Sequence, residues 1–370
     1  MDKVKRAIIS GGGTGGHIFP AISIANALKK RFPDVKILFV GALGRMEMEK
    51  VPAAGYEIVG LPVQGFDRKR LWKNIPVLYN LCKSLWKARK IVRSFRPDVA
   101  VGVGGYASGP VLKAAAAKKV PILIQEQNSY PGVTNKLLAP KASAICVAYD
   151  GLERFFPKEK IVLTGNPVRK DLMTTVEHLD EMYRYFDLDA KKKTVLIMGG
   201  SLGARTINNA VKKGLATMAD MEGVQFIWQT GKYYYEDSEK AWQELKPANV
   251  RVTAFLSRMD WAYRVADLVV SRAGAGSISE LCLLGKPTIL VPSPNVAEDH
   301  QTKNAMALVD KQAALLVTDA EAEEKLITVL AKVINDVEQM ENLHRQILKL
   351  AKTDSDERIV DEVVKCIKDR

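Results

Sequence analysis

Cysteine and histidine are both scarce, with four of each in 370 residues. The cysteines (Cys82, Cys146, Cys282, Cys366) lie far apart and form no C-x-x-C pair. That excludes a disulfide framework or a zinc site and points to a reducing compartment. So few histidines leave little for a metal centre of any kind. No apolar run approaches the roughly 20 residues needed to span a bilayer. The N-terminus reaches a glycine-rich segment after only a few apolar residues, a pattern that excludes a signal peptide. Acids are missing from one long stretch: between Arg68 and Arg96 there are ten Lys or Arg and no Asp or Glu. What remains is ordinary for a soluble globular protein, at 47% apolar and 26% charged residues. The length allows two domains, each with its own core.

The most informative segment is Gly11-Gly12-Gly13-Thr14-Gly15-Gly16-His17. It follows the apolar run Ala7 to Ser10 and precedes a helical pattern with Ile18, Ala21, Ile22, Ala25 and Leu28 on one face. A strand, a glycine loop and a helix start bring backbone N–H groups close to a phosphate. No Gly-Lys-Ser/Thr closes the loop, so it is not a P-loop. Val40 is followed by Gly41 and Ala42 rather than by an acidic ribose ligand, which disfavours a nicotinamide cofactor. His17 places a titratable group at the loop exit. Similar loops follow at Gly104-Gly105-Tyr106-Ala107-Ser108 and at Gly199-Gly200-Ser201-Leu202-Gly203. Together they predict two similar α/β domains around a cleft for a phosphate-rich ligand.

Strands are expected near 6–10, 36–40, 56–60, 99–103, 121–125 and 144–147, and again near 194–198, 225–229, 250–254, 268–271, 288–291 and 313–316. Their alternation with helices is that of doubly wound parallel sheets. Gly165-Asn166-Pro167 reads as a hinge. The domains are expected at 1–166 and 167–352, with a last helix, about 353–370, crossing back onto the first. Asp187-Leu-Asp189 has the form of a metal–nucleotide site but lies in a polar stretch and reads as a surface loop.

The acid-free stretch 68–96 also carries Leu71, Trp72, Ile75, Leu78, Tyr79, Cys82, Leu85 and Trp86 at helical spacing. Two uses fit it equally: a basic amphipathic helix lying in a membrane interface, or a helix whose apolar stripe packs on the sheet while its basic face is solvated. Lys83, Lys87, Lys90 and Arg93 are the residues expected to meet an anionic surface in the first case. No recognition motif accompanies the charge, so a nucleic-acid partner ranks last.

In the second half, Ser271-Arg272-Ala273-Gly274-Ala275-Gly276-Ser277-Ile278-Ser279-Glu280 forms another strand-to-helix loop, its helix expected over Ser277 to Leu284. Helix-start N–H groups and the Ser277 hydroxyl suit a diphosphate, and Glu280 suits a sugar diol. Alternatively Glu280 closes a capping box with Ser277. The polar loop Glu298-Asp299-His300-Gln301 also lies just beyond a strand, where parallel sheets bind ligands.

With the blocks Thr14 to His17, Gly104 to Pro110, Glu126-Gln127-Asn128, Gly165 to Arg169, Gly199 to Arg205 and Glu298 to Gln301, the chain resembles the MurG family, glycosyltransferase family 28, over nearly its whole length. The resemblance implies the two-domain GT-B fold and an inverting transfer of N-acetylglucosamine from UDP-N-acetylglucosamine to the 4-hydroxyl of the undecaprenyl-linked muramyl-pentapeptide of peptidoglycan. It implies that the N-terminal domain takes the lipid acceptor, with Thr14, Gly15, Gly16 and Asn128 lining the sugar or acceptor side of the cleft. It implies that Arg169 and Ser201 meet the diphosphate and that Leu256 meets uracil through its backbone. Ala275, Gly276, Ser277, Ile278, Ser279 and Glu280 would hold phosphate and ribose, and Gln301 the N-acetylglucosamine. Gly276-Ser277 stands where other members have Leu-Thr, a change that backbone contacts survive. His17 is the first candidate for the base and Glu126 the second. No metal and no cofactor are called for. An acceptor that cannot leave the bilayer favours the membrane use of the basic helix, at the cytoplasmic face of the inner membrane. The rival enzymes are a UDP-N-acetylglucosamine 2-epimerase and a diacylglycerol glycolipid synthase; an epimerase needs no such helix.

Overall fold

A computed structural model describes residues 4–65, 75–168, 172, 178–200 and 202–368. The chain divides into two compact units, Met1–Arg169 with Lys352–Arg370, and Lys170–Ala351.

The first unit is built on a seven-stranded parallel sheet: β1 (Arg6–Ser10), β2 (Lys36–Ala42), β3 (Glu57–Leu61), β4 (Val99–Gly102), β5 (Ile122–Glu126), β6 (Ala144–Val147) and β7 (Ile161–Leu163), in the order β3-β2-β1-β4-β5-β6-β7. Its helices are α1 (Gly15–Arg31), α2 (Glu47–Ala53), α3 (Ile75–Phe95), α4 (Ser108–Ala117) and α5 (Val133–Leu138). Strands covered on both faces read as continuous apolar runs, and alternate residues serve opposite layers. Ile8, Leu38, Ala100, Ile122 and Ile124 pack with Val92 of α3 and Val111 and Leu112 of α4. Ala7, Ile9, Phe39, Val101 and Leu123 pack instead with Ile18, Ile24 and Leu28 of α1 and with Ile359, Val360 and Val363. The last three lie on the C-terminal helix Ser355–Lys368, which thus completes the first unit's core.

The second unit holds β8 (Lys193–Met198), β9 (Val224–Gln229), β10 (Val250–Thr253), β11 (Leu268–Ser271), β12 (Thr288–Leu290) and β13 (Leu315–Leu316), all parallel, in the order β10-β9-β8-β11-β12-β13. Around them lie α6 (Leu179–Tyr185), α7 (Arg205–Ala219), α8 (Tyr235–Leu245), α9 (Met259–Val265), α10 (Ala275–Leu284), α11 (His300–Val309), α12 (Ala322–Asn335) and α13 (Val337–Leu348). Val195, Ile197, Phe226, Trp228 and Val270 pack with Ile207, Val211 and Leu215 of α7 and Leu326 and Leu330 of α12.

Two features depart from the sequence reading. β7 is an additional edge strand of three residues, too short for periodicity to reveal. α10 starts at Ala275, two residues before the expected Ser277, because the chain already turns at Gly274. In the Asp187-Leu188-Asp189 segment, Asp187 pairs with Arg251 at 2.8 Å and Asp189 accepts the Lys191 N–H at 2.9 Å.

Candidate active site

Each sheet reverses its strand order once, between β1 and β4 in the first unit and between β8 and β11 in the second. Loops at the carboxyl ends of such a pair part and leave a crevice for ligand.

In the first unit the loop after β1 packs backbone to backbone on the loop after β4. A Cβ on Gly105 (φ +86°) would lie 2.4 Å from the Gly12 carbonyl oxygen, so only glycine fits. Ser108 ties both loops together, donating from Oγ to Ser10 O and Gly104 O at 2.8 Å each. Gln127 extends the arrangement by donating to Val103 O at 2.9 Å. His17 lies in the first turn of α1, with Nδ1 3.1 Å from Gly12 O and 3.4 Å from Thr14 Oγ1. Its Nε2–Cδ2 edge is turned toward Gly104, whose missing Cβ would lie 2.8 Å from Nε2.

The residue that the sequence reading missed here is Glu47. It is 1% exposed, and its carboxylate accepts the Ala42 and Gly13 N–H groups at 2.9 Å each. A Cβ on Gly12 would lie 2.1 Å from Glu47 Oε1. One N–H of the first loop is therefore engaged by a carboxylate, and a negative charge stands behind the turn. That N–H is taken by a side chain rather than offered to a ligand. An acidic residue was sought at the end of β2; it comes five positions after Ala42 and reaches back.

Glu126 is buried, and its two oxygens accept four bonds from its own loop and α5: Asn128 N at 3.0 Å, Asn128 Nδ2 at 3.2 Å, Gly132 N at 3.2 Å and Asn135 Nδ2 at 2.8 Å. This is the geometry of a loop anchor. It fixes Asn128 relative to β5, and Asn166 adds to it by donating to Gln127 O at 3.0 Å and accepting from Gln125 Nε2 at 2.9 Å.

In the second unit the loop after β11 leads into α10, whose N-cap, Gly274, has no side chain to cover the first-turn N–H groups. Ala275, Gly276, Ser277 and Ile278 form that first turn, while Ser279 returns its hydroxyl to Ala275 O at 2.9 Å. Glu280 accepts the hydroxyl of buried Tyr263 at 3.0 Å, so the alternative capping box with Ser277 does not form. Arg272 steadies the loop from behind through Asp319 at 2.5 Å and Val291 O at 3.0 Å. Gln229, also missed from sequence, links two further loops by donating to Gly200 O at 3.0 Å and to Ala254 O at 3.1 Å. Leu256, two residues beyond Ala254, is buried. Arg258 forks onto Asp260 at 3.0 and 2.7 Å, which holds the Asp260 carboxyl below the usual range, and stacks 3.7 Å over Trp261. Gln301 Oε1 accepts the Ser293 N–H at 2.8 Å, leaving its NH2 as the donating end. Just before it, Glu298 and Asp299 both take left-handed conformations (φ 57° and 51°), a strain that tends to gather at functional loops. Arg169 and Ser201 lie outside the described residues.

α3 separates the two uses that the sequence left open. Val77, Ala88 and Val92 are buried, yet Leu78, Tyr79 and Trp86 remain 52%, 69% and 65% exposed beside Lys83, Arg89, Lys90 and Arg93. Trp86 carries Lys90 Nζ 5.8 Å from its ring centroid. Lys87 must be struck from the expected surface set, because its Nζ donates to Gly60 O at 2.8 Å and ties α3 to β3. Trp72 and residues 68–74 lie outside the described residues. Among the described residues, no helix is long and apolar enough to cross a membrane.

Comparison with known proteins decides the family. The model of the glycosyltransferase family 28 N-terminal domain matches residues 7–147, and that of the C-terminal domain matches residues 194–359. The chain belongs to glycosyltransferase family 28. A family relative from Bacteroides thetaiotaomicron, named UDP-N-acetylglucosamine--N-acetylmuramyl-(pentapeptide) pyrophosphoryl-undecaprenol N-acetylglucosamine transferase, is 62% identical over 368 residues, covering 99% of this chain and 98% of its own. A protein of the same name from Porphyromonas gingivalis is 55% identical over 98% of this chain and 96% of its own. The crystal structure of Acinetobacter baumannii MurG is similar at a TM-score of 0.76 and 26% identity, covering 98% of this chain and 99% of its own. With the two parallel sheets, that likeness makes the fold GT-B. A UDP-GlcNAc 2-epimerase from Neisseria meningitidis shares the fold at a TM-score of 0.70 but is only 16% identical, over 98% of this chain and 100% of its own.

Proposed function

We propose that this family 28 enzyme transfers N-acetylglucosamine from UDP-N-acetylglucosamine to the 4-hydroxyl of undecaprenyl-pyrophosphoryl-MurNAc-pentapeptide, inverting the anomeric centre and releasing UDP. The observation that carries this reading is 62% identity, over nearly the full length of both chains, to a relative named for that transfer.

The hydroxyl oxygen attacks the anomeric carbon while the bond from that carbon to the β-phosphate oxygen breaks, the electron pair leaving with UDP. His17 takes the hydroxyl proton. Gly12 O can only accept, so a neutral His17 that donates across the 3.1 Å contact carries its proton on Nδ1 and its lone pair on Nε2. Thr14, Gly15, Gly16 and Asn128 line the acceptor side, and Glu126 serves by holding the Asn128 loop in place. The second unit takes the donor. Residues Ala275 to Ser279 offer an uncapped helix start to the diphosphate, joined by Arg169 and Ser201, and this stabilises the leaving charge. Glu280, steadied by Tyr263, receives the ribose diol; Leu256 meets uracil through its backbone; the Gln301 NH2 reaches N-acetylglucosamine.

The exposed Leu78, Tyr79 and Trp86 among four cations give α3 the make-up of an interfacial anchor. An acceptor confined to a bilayer calls for such an anchor, so the enzyme is proposed to dock peripherally on the cytoplasmic face of the inner membrane, with no nucleic-acid partner.

The test is UDP release from UDP-N-acetylglucosamine with and without a short-chain lipid-linked muramyl-pentapeptide. Acceptor-dependent release with a disaccharide product is expected. Release without acceptor, or none while UDP still binds, overturns the reading.

A further inference from the structure

We infer that Glu47 is a positioning residue for His17, acting through the Gly12–Gly13 peptide group. This deepens the proposed function and rests on its choice of His17 as base.

The two hydrogen bonds that carry the inference belong to one peptide. Its N–H, on Gly13, donates to Glu47 Oε2 at 2.9 Å. Its carbonyl, on Gly12, lies 3.1 Å from His17 Nδ1. The peptide dipole is therefore aligned between a carboxylate and an imidazole. A negative charge at the N–H end polarises the group and makes its oxygen a stronger acceptor, since hydrogen bonds in a chain reinforce one another away from water. The stronger acceptor holds the proton on Nδ1 and the lone pair on Nε2. A carboxylate commonly does this job by direct contact with a catalytic histidine; here a peptide stands between them. When Nε2 takes the acceptor proton, the charge on the ring sits one peptide away from the buried carboxylate.

The surroundings confirm that this side chain is built in place. Glu47 is buried at the start of α2, and its second oxygen is fixed by Ala42 N–H. A side chain at Gly12 would meet the Glu47 carboxylate at 2.1 Å, and one at Gly41 would meet Glu47 Cγ at 2.5 Å. Two glycines thus make room for one carboxylate, which a helix-starting acid alone does not require.

Glu47→Gln tests this, because glutamine has a single acceptor oxygen and its NH2 would face one of the two N–H donors. The readout free of substrate is the His17 tautomer, from ring nitrogen chemical shifts near pH 8. Only four histidines are present, so His178, His300 and His344 serve as internal controls. Wild-type His17 is expected to carry its proton on Nδ1, and Glu47→Gln to move part of the population to Nε2. In acceptor-dependent turnover, kcat is expected to fall about 10- to 100-fold, a part of the roughly 10²–10⁴ that a general base supplies, with the KM for UDP-N-acetylglucosamine unchanged. A wild-type proton on Nε2 overturns the inference, as does a Glu47→Gln protein whose tautomer and kcat both match wild type. Should that variant not fold, the wild-type tautomer and the slowed exchange of the Gly13 amide decide alone. A shifted tautomer with undiminished turnover upholds the link from Glu47 to His17 and removes His17 as the base, so the two readings fail separately.

Discussion

Replacing Lys83, Arg89, Lys90 and Arg93 together by glutamine removes four positive charges from the outer face of α3 and leaves Leu78, Tyr79 and Trp86 in place. A basic side chain near an anionic membrane contributes about 1 kcal/mol, so the four contribute about 4 kcal/mol at low salt. At about 1.4 kcal/mol per factor of ten, partition onto anionic vesicles should drop roughly 10³-fold. The assay is co-sedimentation with phosphatidylglycerol-containing vesicles, compared with phosphatidylcholine vesicles at equal salt. Raising the salt from about 0.1 M to about 1 M shortens the screening length from about 10 Å to about 3 Å, so wild type should fall toward the variant. Lys87→Gln is the internal control. Its ammonium donates to Gly60 O, so this change should leave vesicle binding nearly intact while lowering stability by about 1–2 kcal/mol. Unchanged partition of the fourfold variant refutes the docking argument, whatever its effect on turnover. Equal losses from Lys87→Gln and from the outward residues would show that the two faces of α3 have been misassigned.

His17→Ala should lower turnover by roughly 10²–10⁴ while UDP affinity, measured by calorimetry, stays near wild type; loss of both would make His17 a structural or donor-site residue. Tyr263→Phe removes the hydroxyl that steadies Glu280, and the affinity for UDP-N-acetylglucosamine should weaken by about tenfold, equivalent to a net hydrogen bond of about 1.4 kcal/mol; unchanged affinity would take Glu280 off the ribose. Lys286 is held down to about 8 by burial, with Nζ donating to Ala266 O at 2.7 Å. Above pH 8 the unfolded chain keeps a proton that the folded lysine releases, so this group makes the protein more stable as pH rises from 8 toward 10.5. Burial pushes the Cys146 and Cys282 thiols up, which works in the opposite direction once unfolded thiols ionise. The comparison is therefore between wild type and Lys286→Met in urea at pH 7.5 and pH 10, where wild type should gain on the order of 2 kcal/mol relative to the variant. No relative gain would show that Lys286 remains charged in the fold.

Most of the fold was legible because both sheets are parallel and buried on two faces. Such strands advertise themselves as apolar runs: Val195 to Met198 and Val99 to Val101 could hardly be anything else. What escaped detection was set by contacts distant in sequence. The start of α10 was misplaced because Ser277 and Glu280 have capping-box spacing, whereas Glu280 is held by Tyr263, seventeen positions upstream. Gln229 and Lys87 look like ordinary polar residues until the loops and strand that they tie are folded around them. α3 was ambiguous in sequence because its apolar residues occupy two faces, and only packing shows that Val77 and Val92 go inward while Tyr79 and Trp86 do not. The glycine loops were found at once, yet a glycine that admits a ligand and one that admits a neighbouring backbone, as Gly105 admits Gly12, are the same letter.

That last ambiguity bears on how the two units divide the work. Both place a strand–loop–helix turn at the point where strand order reverses, and both use glycine there. In the first unit the turn is backed by the Glu47 carboxylate, which engages the Gly13 N–H. In the second, the helix start at Ala275 has a glycine cap, and the neighbouring Asp319 is neutralised by Arg272 at 2.5 Å. A negative charge behind a loop supports an imidazole that must accept a proton. A neutralised surround with uncapped N–H groups does the reverse, stabilising an anionic leaving group and offering nothing to a base. Under the proposed function, the proton goes to the unit whose loop is backed by a carboxylate and the departing phosphate to the unit whose loop is not. Changing the charge behind the donor loop tests the division directly: Arg272→Ala leaves Asp319 uncompensated beside that loop and should weaken UDP binding, while the His17 tautomer remains as in wild type.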